Sequence, residues 1–169
     1  MTNASVWGKT AAENVAEYIK TVDRENIENH PLIEKRVRQY REYMERENGA
    51  NWLESNSMLQ QIMGDYVGLK VRSKDMLQAG LKYLGDLKGY ALAEISCQDS
   101  RELMRTMEVF DLIELGEAVA LTAENRKETR GHHHRVDYTY TNPLLKDKFQ
   151  TICIDDGGKV HMEFRDMRK

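Results

Sequence analysis

The side chains best suited to chemistry lie in one short run, Glu128-Thr129-Arg130-Gly131-His132-His133-His134-Arg135-Val136-Asp137-Tyr138. The guanidinium groups of Arg130 and Arg135 can offer forked, charge-assisted hydrogen bonds to carboxylates or to helix-end carbonyls, and Asp137 is one candidate acceptor. Three consecutive histidines raise the question of a metal ion. Neighbouring side chains on an extended loop point in different directions, so at most two could share one ion, and His161 or Asp137 would have to join them. The run therefore reads as a salt-bridged loop, with no native metal site and with adventitious nickel or zinc as its only metal chemistry. Basic Arg126, Lys127, Arg130 and Arg135 are nearly cancelled by interleaved Glu124, Glu128 and Asp137, which argues against phosphate or RNA binding. Cys97 and Cys153 are far apart and lack metal spacing, and they read as reduced, partly buried thiols.

What must position this run is a helical frame. The chain has 169 residues, 40% hydrophobic and 31% charged, with two prolines and a formal net charge of −3. That composition suits one modest, well-solvated helical core and gives no general attraction to nucleic acid or anionic membrane. No apolar run approaches the roughly 20 residues that span a bilayer, and Met1 to Ser5 show no secretory signal. Periodicity predicts five helices. The first runs from Ala4 to about Thr21. The second starts at Asn29-His30-Pro31 and continues to Glu47, with Ile33, Val37, Tyr40 and Met44 as its apolar stripe. The third spans about 52–66. The fourth is capped by Ser73 and puts Met76, Leu77, Leu81, Leu84, Leu87, Ala91 and Ile95 on one face.

Asp99 with Glu102 is a capping-box pattern for the fifth helix, expected to reach about Lys127 with Leu103, Met107, Phe110, Ile113 and Ala118 inward. Gly116 with Ala118 and Ala120 would let a neighbouring helix come close, and Gly131 reads as the left-handed stop behind this helix. Met58, Met63, Met76, Met104 and Met107 read as core filling, and Trp7 and Trp52 as core or interdomain anchors. Near the end, residues 149–154 and 159–164 flank Asp155-Asp156-Gly157-Gly158, a hairpin signal. The predicted fold is mainly α: a three-helix, spectrin-repeat-like bundle with additional N-terminal helices and a small C-terminal β-hairpin.

The pattern Arg-Gly-x-His-x-Arg-x-Asp-Tyr, with Arg130, Gly131, His133, Arg135, Asp137 and Tyr138 on its fixed positions, resembles a signature near the C-terminal end of succinate dehydrogenase and fumarate reductase flavoproteins. L-aspartate oxidase and the adenylylsulfate reductase flavoprotein are relatives of that family. Val6-Trp7-Gly8-Lys9 followed by Ala11-Ala12-Glu13 resembles the last helix of the family's FAD domain. Trp52, Leu59 to Met63, Tyr66-Val67-Gly68 and Val71-Arg72 resemble the first long helix of its C-terminal domain and the exit from it. Asp156-Gly157-Gly158-Lys159-Val160 with Glu163-Phe164-Arg165 resembles the family's closing hairpin. Thr139 departs from the Pro common after the Tyr, and the segment 139–148 is short for the family.

The resemblance implies three parts: residues 1–22 as a remnant helix of the FAD-binding domain, 23–148 as the helical C-terminal domain with its signature loop at 128–142, and 149–169 as hairpin and tail. It implies FAD in the parent protein and none in this chain, because no Gly-x-Gly-x-x-Gly turn is present to cradle a pyrophosphate. On this reading the chain is an excised domain, begun artificially at Met1 and inactive alone, with no catalytic, cofactor-binding or metal residue of its own. Its partners would be the parent's FAD-binding domain and an iron–sulfur subunit, in the cytoplasm or at the inner face of a membrane through partner subunits. As a fragment it would be prone to form homo-oligomers. The signature residues would brace the loop, or else orient the flavin domain or substrate cap. The alternative is a stand-alone helical interaction module of the same ancestry.

Overall fold

A computed structural model describes residues 3–23, 30–68, 71–155 and 157–167. Two compact units divide it, residues 1–38 and 39–169. The first contains α1 (Asn3–Tyr18) and the start of α2 (Pro31–Glu45). Pro31 occupies the first turn of α2, where its missing N–H costs nothing, and the His30 ring accepts the Leu32 amide at 3.2 Å. Asn29, expected to mark this start, lies outside the described residues. Trp7 is 70% exposed, and Val15, Tyr18 and Ile19 are exposed with it, so α1 has no apolar core of its own.

The second unit is built on α3 (Trp52–Ile62), α4 (Lys74–Glu94) and α5 (Ser100–Asn125). Asn51, Ser73 and Asp99 cap their N-termini, each side chain accepting otherwise orphaned amides. Glu102 completes the cap of α5 by accepting the Gln98 amide at 2.8 Å, one residue earlier than the reciprocal capping-box bond would fall. Leu59, Leu84, Leu87, Val109 and Ile113 form the central core, and each fully buried side chain contributes roughly 1.5–3 kcal/mol through lost apolar surface. A second cluster joins Tyr43, Ala91, Ile95 and Cys97, with Tyr43 stacked on Phe110 at 5.7 Å. The third cluster, Val67, Leu77, Ala120 and Ala123, sits beneath the loop region.

Several expectations shift. Tyr43 is the buried residue of α2, whereas Ile33 and Val37 are exposed, because only the last turns of α2, from Gln39 on, belong to the second unit and its core; Met44, beside Tyr43, is exposed as well. In α5 the buried stripe is Thr106, Val109, Ile113, Gly116, Ala120 and Ala123. The predicted Leu103, Met107 and Phe110 flank it and are half-buried. Small residues win the centre because the helices approach closely: a Cβ on Gly116 would stand 3.0 Å from the Met63 sulfur. Met58 and Met104 are exposed rather than core-filling, and Cys153 is exposed while Cys97 is buried.

The third helix does not run unbroken to Tyr66. It passes at Ile62 into a π turn, Met63–Val67. The chain closes with β1 (Lys148–Ile154) paired antiparallel to β2 (Val160–Asp166), in register from Lys148 opposite Asp166 to Ile154 opposite Val160. Asp156, part of the predicted turn, lies outside the described residues, and Gly158 takes φ 80° there. Among the described residues no helix is long and apolar enough to cross a membrane.

Candidate functional site

The chemistry-bearing run folds against the C-terminal end of α5. The helix ends at Asn125, so Gly131 is not its stop. Gly131 instead takes φ 56° inside a tight turn that Arg130 and His133 close with two backbone hydrogen bonds of 2.8 and 2.9 Å. Arg135 supplies the missing C-terminal cap: its Nη1 donates to the carbonyls of Ala123 at 2.7 Å and Glu124 at 3.1 Å. Its Nε and Nη2 donate in a fork to the two oxygens of Asp137, at 2.8 and 2.7 Å. The Arg135 side chain is 1% exposed and lies 5.1 Å from the Tyr138 ring centroid. Asp137 also accepts the Lys74 amide at 2.9 Å, tying the loop to the first turn of α4. The Arg135 fork, reinforced by that amide, draws the Asp137 carboxyl down to about 2.

Two residues absent from the predicted signature set do as much. Glu128 is fully buried. It accepts from Arg126 Nε at 2.8 Å, from Arg130 Nη2 at 3.0 Å and from the Asn142 amide at 2.9 Å. Burial alone would raise its carboxyl, but the Arg130, Asn142 and Arg126 donors outweigh this and hold it below the usual range. Arg72, in the connector between α3 and α4, donates through Nε to the carbonyls of Val67 and Gly68, both at 3.0 Å. Those are the carbonyls freed where the π turn ends. Its backbone pairs with the loop on both sides, donating to His134 O at 3.1 Å and accepting from Val136 N at 2.9 Å.

His133 joins these two layers. One ring nitrogen, Nδ1, lies 2.9 Å from Arg72 Nη1, and the other, Nε2, lies 2.9 Å from the Arg126 carbonyl. A guanidinium can only donate and a carbonyl can only accept, so the network assigns a neutral ring with its proton on Nε2. Burial, followed by the nearby charges of Arg72, Arg135 and Arg126, lowers its pKa from the ordinary 6.5. His132 and His134 are exposed, and no group of three His, Cys, Asp or Glu side chains among the described residues could hold a metal ion. His161, the suggested third ligand, pairs instead with Asp155 at 2.7 Å. Arg130, Gly131, His133, Arg135, Asp137 and Tyr138 are thus brought together, with Arg72, Glu128 and the Thr129 hydroxyl completing the assembly. Sequence pattern alone could have flagged Glu128 as a carboxylate flanked at two residues on either side by arginines.

The last long helix of the bundle is thus capped by an arginine–carboxylate loop. The sequence profile described as the fumarate reductase flavoprotein C-terminus matches residues 56–168, and the chain belongs to that family. An uncharacterised FAD-dependent oxidoreductase of Methanocaldococcus jannaschii is 24% identical over 96% of this chain and 29% of its own length. A succinate dehydrogenase flavoprotein subunit of Rickettsia bellii is 21% identical over 95% of this chain and 27% of its own length. A solved quinol–fumarate reductase with menaquinol molecules shares the fold with a TM-score of 0.79 at 22% identity, over 97% of this chain and 30% of that one. The chain therefore spans less than a third of the length of these relatives.

Proposed function

We propose that this chain serves as the C-terminal helical domain of an FAD-dependent oxidoreductase of the succinate or fumarate type. Residues 1–22 act as the last helix of the flavin domain, 23–148 as the helical domain, and 149–169 as its closing hairpin and tail. FAD resides in the parent's flavin domain, and an iron–sulfur subunit exchanges electrons with it at the cytoplasmic face of a membrane. The signature residues act by bracing the end of α5 against the α3–α4 connector rather than by touching substrate. The observation that carries this reading is the family match from 56 to 168, with relatives aligned over nearly the whole chain.

The exposed apolar side of α1, Trp7 above all, is the surface offered to the flavin domain. Mixing this chain with the separately purified FAD-binding portion of the M. jannaschii relative tests the reading. The expected result is tighter flavin retention, lost when Trp7 is replaced by Ser. A stand-alone interaction module would leave flavin retention unchanged.

A further inference from the structure

The α3–α4 face carries a feature that the signature loop does not use. The π turn brings Asp65 and Tyr66 opposite Tyr83, Asp86 and Tyr90 of α4, across an open groove of about 390 Å³. A π turn takes one residue more than an α turn, so it rotates the downstream side chains by roughly 100° about the helix axis, and such insertions recur at functional sites. The Tyr66 and Tyr83 rings meet at 5.0 Å and 55°, while Tyr83 and Tyr90 remain about 40% exposed. Through Met58 and Gln61 the groove continues into a second hollow of about 580 Å³ walled by Leu53 and Glu54. Leu53 and Met58 are both about half exposed.

The charge is one-sided. Glu54, Asp65 and Asp86 line the two hollows, no Lys, Arg or His does, and none of the three carboxylates forms an ion pair among the described residues. Three phenol faces beside unpaired carboxylates suit a guanidinium, which stacks flat on aromatic rings and forks onto carboxylates. The 11 residues of α3 measure about 16 Å, longer than one side chain can follow. We propose that this groove docks a segment of a partner protein. The segment places an arginine against Tyr83 and Tyr90, between Asp65 and Asp86, and lays apolar side chains along Leu53 and Met58.

The test uses a fluorescein-labelled synthetic peptide of repeated Leu-Ala-Arg-Ala units, titrated with the full chain and read by fluorescence anisotropy. The expected result is saturable binding, weakened tenfold or more by Asp86→Asn, by Tyr83→Leu and by citrulline in place of arginine. Tyr83→Phe, which keeps the ring face, should retain binding, as should the remote charge variant Asp166→Asn. Unchanged circular-dichroism melts establish that the variants are folded. Absence of binding, or binding indifferent to the groove variants, overturns the proposal. So does full competition by free arginine amide at the peptide's affinity, which would mark a small-cation site. Sedimentation showing a dimer that Tyr83→Leu dissociates would assign the groove to a second copy and would equally overturn it.

Discussion

The loop at 128–142 and the hairpin at 148–166 both come after α5, and both are held by ion pairs, but the pairs are of different kinds. In the loop, Glu128 and Arg135 are essentially without solvent exposure, and each is met by several donors or acceptors. In the hairpin, Lys148–Asp166 has one side chain 82% exposed, and Arg165–Glu163 is solvated on both sides. A solvated pair contributes little because water screens it and two flexible side chains must be ordered. A buried pair is different: removing one partner leaves the other charged and desolvated. The loop is therefore an ionic core that cannot lose a member cheaply, whereas the hairpin's pairs are dispensable.

The largest expected effect is at Glu128. Glu128→Ala takes the shared carboxylate from Arg126 and Arg130, leaving them only backbone carbonyls such as those of Leu145 and Asn142. It also removes the acceptor of the Asn142 amide, and should cost about 3–5 kcal/mol in urea denaturation of the isolated chain. Arg130→Ala, whose partner keeps other donors and whose side chain is 31% exposed, should cost about 1–3 kcal/mol, whereas His132→Ala and His134→Ala should leave the melting temperature unchanged. At the small end, Lys148→Ala in the hairpin should cost less than about 1 kcal/mol. A hairpin variant as damaging as Glu128→Ala would break the comparison.

Acid sharpens it. Asp137 sits at about 2 in the folded chain against an ordinary 3.8, so its stabilisation is complete above pH 3.8 and is lost as pH falls through 2. That difference corresponds to about 2 kcal/mol. His133 has its folded pKa below 6.5, so the unfolded chain takes up its proton first and stability falls as pH drops below 6.5. A protonated ring would also turn a second donor toward Arg72. Denaturation midpoints from pH 7.5 to 3 should decline, and His133→Gln should flatten the upper part of that decline while leaving the Asp137 part. A pH-independent midpoint would contradict both assignments.

The helices and hairpin are legible in the sequence because apolar periodicity and capping residues are local signals: Ser73 and Asp99 cap where the sequence predicts, and the β1–β2 register agrees with the Gly-rich turn. The inward face of α5 differs from the sequence expectation by about one residue. Large side chains dominate an apolar pattern, yet close helix contact selects Gly116, Ala120 and Ala123 for the centre. The π turn has no compositional marker. Arg72 lies 61 residues from His133, so its role depends on tertiary pairing that spacing cannot reveal. Gly131 has the expected left-handed conformation but a different task, since Arg135 caps the helix in its place.

The central claim is that the signature loop is built into this chain's own core and needs no contact outside it to hold its shape. Amide hydrogen exchange of the isolated chain, read by NMR, tests this directly. The amides of Arg72, Thr129, Arg135 and Val136, bonded to His134 O, Tyr140 O, Thr129 Oγ1 and Arg72 O, should exchange as slowly as the buried turns of α4 and α5 and more slowly than those of β2. Exchange of these four at the rate of an unstructured loop, with the helices still protected, would contradict the account and place the source of the loop's order outside this chain.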